Sequence, residues 1–237
     1  MKLITYSLNN NLSKIELFCI KSWINQGYEV DLYTYSKNKY DLKINIKNPE
    51  KIIKKEDMDK IFIKKFKNFF FKIKLIYILG GIIIDPDIYC NKFYDFQDET
   101  LVSTNPDLNY SSSIVDLSIM KFPKKSKEMH YIVNHFFMLY NDFKNGYNTT
   151  FQINNILCKL LNNVFNLNKK EWNFCHSCNE EHWRSQLDIP FESENKSYLV
   201  DPKNLGNFCK IWEEKIIDSI PNFDINKFKK GLLGKLS

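Results

Sequence analysis

The stretch ILGGIIIDPDIYC, residues 78–90, decides the fold. Gly80-Gly81 closes whatever element precedes it, because glycine alone turns freely out of a helix. Ile82, Ile83 and Ile84 follow as a short run that is apolar on both faces. That pattern belongs to an inner strand of a sheet covered by helices. Asp85-Pro86-Asp87 then sets two carboxylates one residue apart at the carboxyl end of this strand, the edge at which open α/β sheets bind ligands.

On the N-terminal side, apolar residues recur at Phe62, Phe66, Phe69, Phe70, Ile73, Ile76 and Tyr77, with Lys60, Lys64, Lys67 and Lys74 on the other side. This spacing predicts one amphipathic helix over 56–79. Earlier still, residues 2–7 read as a first strand. Ser13 with Glu16 three residues on has the form of a capping box, which starts a helix that runs to Gly27. Residues 28–35 alternate and are rich in β-formers, so the chain opens strand, helix, strand. Past the central stretch, residues 101–104 and 114–122 read as strands, and 124–143, 150–163 and 204–219 as helices, the last carrying Trp212. There is no internal repeat and no linker rich in Gly, Pro or Ser. The expectation is a single α/β domain over residues 1–237, with a mainly parallel sheet flanked by helices.

The composition supports a folded core: 43% of the 237 residues are hydrophobic and 15% aromatic, well above what disordered chains carry. Alanine is absent, and of 34 Lys plus Arg residues only Arg184 is an arginine. An AT-rich coding sequence explains that bias and also the net charge of +6. With one arginine, bidentate base readout has no means, and nucleic acid is not the expected partner. The N-terminal apolar run is too short for a signal peptide and no stretch is long enough to span a membrane, so a cytoplasmic location is expected. The Asn-x-Ser/Thr matches at Asn11, Asn109, Asn148 and Asn195 arise by chance in so Asn-rich a chain.

Two carboxylates flanking an extended residue face the same side, and Pro86 biases Asp85 toward extended backbone. Asp85 and Asp87 together suit a hard divalent cation, Mn²⁺ or Mg²⁺, that prefers oxygen ligands and leaves room for phosphate oxygens. A departing diphosphate requires such a cation. The same triplet also makes an ordinary turn.

Two ordered blocks separate these readings. LSKIELFCIKSWINQGYEVDLYTY at 12–35 and FKIKLIYILGGIIIDPDIYC at 71–90 resemble the glycosyltransferases of the sugar-binding-region type with an Asp-x-Asp motif, related to initiating α-mannosyltransferases and to bacterial and viral surface-glycan transferases. A fainter match is FCKIWEEKI with the closing GLLGKL. The resemblance implies the nucleotide-diphospho-sugar transferase fold called GT-A and a retaining, metal-dependent transfer of a hexose-type sugar. The donor would be a UDP- or GDP-sugar, and the acceptor a glycan, a glycolipid or a protein-linked sugar. It implies that Asp85 lies nearer the ribose and sugar of the donor and that Asp87 is the principal metal ligand. Ser7, Leu8 and Tyr35 would border the base, and Lys72 would reach the donor sugar or phosphate. No nucleophile can be read from the sequence: Gln152 or Asn154 could lie beside the anomeric carbon, and the alternative is an Asn-rich helix surface without chemistry.

The chain departs from the family where Phe69 and Lys72 replace an acidic residue and an arginine, and where Lys210 replaces a metal-binding histidine. A degenerate protein that binds sugar nucleotide or glycan without turnover is therefore the second expectation. Cys175, Cys178 and His182 have part of a zinc-ligand spacing, and the alternative for all six cysteines is the free thiol. The Lys-rich helix could rest peripherally on an anionic membrane; the alternative is a solvated face.

Overall fold

The computed structural model describes residues 1–90, 92–105, 114–144, 169–171 and 208–210. The chain parts into two compact units. One comprises Met1–Asn11, Glu29–Asp85 and Asp95–Glu171, and the other Leu12–Tyr28, Pro86–Tyr94 and Trp172–Ser237.

The first unit holds a seven-stranded sheet: β1 (Lys2–Ser7), β2 (Glu29–Thr34), β3 (Asn45–Lys47), β4 (Gly81–Ile84), β6 (Leu101–Asn105), β7 (Ile114–Phe122) and β8 (Lys169–Glu171). Their order is β3-β2-β1-β4-β7-β6-β8. The pairs β1–β2, β1–β4, β2–β3 and β6–β8 are parallel, and β7 is antiparallel to both β4 and β6. The mainly parallel α/β expectation holds. Ile82, Ile83 and Ile84 are all buried, as a strand covered on both faces must be.

Helices α2 (Lys55–Asp59), α3 (Lys64–Leu79) and α4 (Lys127–Lys144) belong to the same unit. The core joins Ile4, Tyr6 and Ile83 of the sheet to Phe66, Phe70 and Phe71 of α3 and Phe136 of α4. Phe70 lies 4.6 Å from Phe136, centroid to centroid, and Phe66 lies 5.1 Å from Tyr140.

The single helix expected over 56–79 is two. Residues 60–63 leave the helical path because Ile61 is fully buried and the Phe62 N–H donates to the Tyr140 hydroxyl at 2.9 Å. Neither glycine nor proline marks this break, so tertiary contacts alone make it. Phe62 itself is 79% exposed. At the other end α3 stops at Gly80, whose backbone (φ 68°, ψ −174°) only glycine adopts without strain. A Cβ there would also meet the Lys124 nitrogen at 2.5 Å.

The second unit is described by α1 (Lys14–Asn25), β5 (Ile88–Cys90) and β9 (Phe208–Lys210). The capping box at α1 is formed: the Glu16 N–H donates to Ser13 Oγ at 3.0 Å, and the Ser13 N–H to Glu16 Oε2 at 2.7 Å. Residues 208–210 form a strand, antiparallel to β5, where a helix over 204–219 was expected. Pairing with a segment some 120 residues away in sequence decides this, and local periodicity cannot register it. The helix expected over 150–163 lies outside the described residues. So do Gln152, Asn154, Cys175, Cys178 and His182. Among the described residues no helix is long and apolar enough to cross a membrane.

Candidate functional site

The parallel register carries the carboxyl ends of β1, β2 and β4 to one edge of the sheet. Ser7 pairs with Thr34, and Ile4 with Ile83, so Ser7 ends β1 on that edge while Leu8, Tyr35 and Asp85 each follow a strand end there. Thr5 Oγ1 fixes β1 to β4 by donating to the Ile84 carbonyl at 2.8 Å. The Asp85 N–H donates to the Ser118 carbonyl at 2.8 Å, so the backbone of Asp85 is tied to β7 as well.

The Asp85 side chain is nearly buried, and its Oδ1 accepts two bonds. Lys72 Nζ of α3 donates at 2.7 Å and the Tyr6 hydroxyl of β1 at 3.2 Å. Lys72 is 6% exposed, so the ion pair lies out of water. The ammonium-to-carboxylate bond is short, as charge-assisted bonds are. It also gives the buried lysine the partner that burial demands. The sequence identified Lys72 as a site residue and missed Tyr6. An aromatic residue within a strand carries no local signal of a hydroxyl directed at a carboxylate 79 residues away.

The other positions expected at this edge have packing roles of their own. Ser7 is buried and its hydroxyl reaches the Asn9 carbonyl only at 3.5 Å. Leu8 and Tyr35 are half-buried against the core. The Tyr35 hydroxyl donates to the Ile53 carbonyl at 2.7 Å, and burial raises its pKa. Phe69, which stands where the resembled family has an acidic residue, stacks on Phe136 at 6.1 Å and so serves the core.

Asp87 lies in the second unit, half-buried in the turn that leads into β5. Within this unit α1 grips the strand that follows it. Trp23 Nε1 donates to the Ile88 carbonyl at 2.6 Å, and the Cys90 N–H donates to Ser22 Oγ at 2.8 Å. Ser22 Oγ in turn donates to the Cys19 carbonyl at 2.6 Å. On the far edge of β5 the register sets Lys210 opposite Ile88, one residue from Asp87. Cys90 is fully buried, and burial pushes its thiol up to about 12; Cys19 is likewise a buried thiol outside any disulfide.

Asp85 and Asp87 offer carboxylate oxygens, the donor type that Mn²⁺ and Mg²⁺ prefer. Among the described residues no group of three or more His, Cys, Asp and Glu side chains could hold a metal ion. Either carboxylate taken by itself supplies only part of the shell of such an ion, the rest of which phosphate oxygens and water ordinarily fill.

No protein-family model matches the chain, and no curated protein does. The fold is nevertheless that of a known class, the GT-A glycosyltransferases. In particular, the chain is similar to the PaToxG glycosyltransferase, with a TM-score of 0.52 at 10% identity over 70% of this chain and 69% of that one. A solved galactosyltransferase LgtC in complex with donor and acceptor sugar analogues gives 0.49 at 10% identity, over 90% of this chain and 87% of that one.

Proposed function

We propose that the chain is a retaining glycosyltransferase that moves a hexose-type sugar from a UDP- or GDP-sugar to a glycan, a glycolipid or a protein-linked sugar. The observation that carries this reading is Asp85, held at the carboxyl end of β4 by Lys72 and Tyr6, in a fold shared with glycosyltransferases. In this reading the Asp85–Asp87 pair belongs to a divalent cation and the donor, with Asp87 as principal ligand. When bound, Mn²⁺ or Mg²⁺ neutralises the charge that develops on the departing diphosphate. Asp85, whose Oδ1 is held by two donors, takes the ribose and sugar end of the donor. Ser7, Leu8 and the ring of Tyr35 border the base, the Tyr35 hydroxyl being committed to Ile53.

The second reading is a transferase-fold protein that binds sugar nucleotide or glycan without turnover. It is favoured by one observation: Asp85 Oδ1 already holds an ammonium and a phenol.

Hydrolysis of a panel of UDP- and GDP-sugars in Mn²⁺, compared between the parent and Asp87→Asn, separates the two. Turnover that needs the metal and drops by about a hundredfold or more in the variant supports the transferase. Nucleotide binding with no turnover anywhere in the panel supports the binding protein.

A further inference from the structure

We infer that Lys72 is the resident cation of Asp85 and competes there with the divalent ion, so that the free chain binds metal weakly and gains affinity only with the diphosphate of the donor. This deepens the glycosyltransferase reading and rests on it.

The ammonium of Lys72 and the phenol of Tyr6 both take Asp85 Oδ1, at 2.7 Å and 3.2 Å. The lysine cannot withdraw into water. It is 6% exposed, sits in the middle of α3, and has the buried residues Phe71 and Ile73 on either side. A divalent ion arriving at Asp85 therefore meets a carboxylate whose charge is already cancelled, with a fixed positive charge a few ångströms away. At that range, and shielded from bulk water, like charges repel strongly. A diphosphate reverses the balance, because its negative charges serve the ammonium and the metal together. Lys72 thus sets the order of binding: the free chain disfavours the bare cation and accepts it together with the donor.

The inference is tested on the ligand-free chain by titrating Mn²⁺ and following the free-ion paramagnetic resonance signal. The parent is compared with Lys72→Met, Lys72→Gln, Asp87→Asn and the double variant Lys72→Met/Asp85→Asn. Lys72→Gln keeps a hydrogen bond to Asp85 and guards against misfolding of the methionine variant. The expected result is Mn²⁺ binding about tenfold or more tighter in the neutral Lys72 variants. The double variant should lose this gain and return to about the parent value, because the carboxylate released by the first change is gone.

Unchanged or weaker binding in both neutral variants, alongside loss of binding in Asp87→Asn, overturns the competition and leaves the metal-dependent reading in place. Absence of Mn²⁺ binding in every variant, including with UDP or GDP added, overturns both.

Discussion

Trp23 donates its indole N–H to the carbonyl oxygen of Ile88 at 2.6 Å, so the helix that follows the first strand is fastened to the residue after Asp87. Trp23 is fully buried, and its bond, with that of Ser22 to the Cys90 N–H, fixes the start of β5 from one side. Trp23→Phe keeps most of the apolar bulk and deletes the donor. The expected cost is about 1–3 kcal/mol, that of leaving a buried acceptor without its partner. Urea denaturation checks it: an unchanged midpoint would mean that the carbonyl is satisfied without Trp23.

The two glycines ahead of β4 should differ in their tolerance of alanine. Both have positive φ, 68° for Gly80 and 94° for Gly81. A Cβ on Gly80 would meet the Lys124 backbone at 2.5 Å, whereas the nearest atom to a Cβ on Gly81 is Ile4 Cδ1 at 3.7 Å. Gly81→Ala should cost about 1–2 kcal/mol from backbone strain alone. Gly80→Ala should cost clearly more, since Lys124 must also move. Equal midpoints for the two variants in chemical denaturation would refute the close approach.

The Lys72–Asp85 pair predicts a strongly non-additive double-mutant cycle. Removing either partner alone strands a buried charge, at a cost of about 3–5 kcal/mol. Replacing both, as Lys72→Met/Asp85→Leu, should restore most of the stability. Losses that simply add in the double variant would show that the two side chains are not coupled.

Cys90 should resist alkylation in the native state, because burial holds its thiol near 12 and little thiolate exists at neutral pH. The sign for stability follows. Between the ordinary cysteine value of 9.0 and about 12, the unfolded chain has lost the proton that the folded chain retains. The folded state then binds more protons, and stability falls as pH rises through that window. Cys90→Ala should flatten the decline, as measured by denaturation midpoints across the alkaline range. An identical slope in the variant would contradict the assignment.

Much of this fold could be read from local pattern. The capping box at Ser13 and Glu16 is formed as its spacing implies. Strand β4 matches its apolar run because burial on both faces leaves a clear signature, and β1 and β7 fall where strands were expected. Where reading failed, a distant partner decided the structure. The break at 60–63 follows from Ile61 burial and the Tyr140 hydroxyl, and β9 exists because it pairs with β5. Strands β3 and β8, three residues each, are too short to show a period. The site divides in the same way. The placement of Asp85 at a strand end was visible in the isoleucine run ahead of it. The contacts of Asp85 with Tyr6 and Lys72 arise only when β1, β4 and α3 come together.

The central claim is that the acidic turn after β4 holds a cation that serves a diphosphate. Anomalous scattering from Mn²⁺, in crystals grown with UDP and again with GDP, tests it most directly. The account predicts a manganese peak within about 2.3 Å of an Asp87 carboxylate oxygen and of a diphosphate oxygen. A nucleotide bound with no manganese beside Asp87, or manganese bound only elsewhere on the chain, would contradict it.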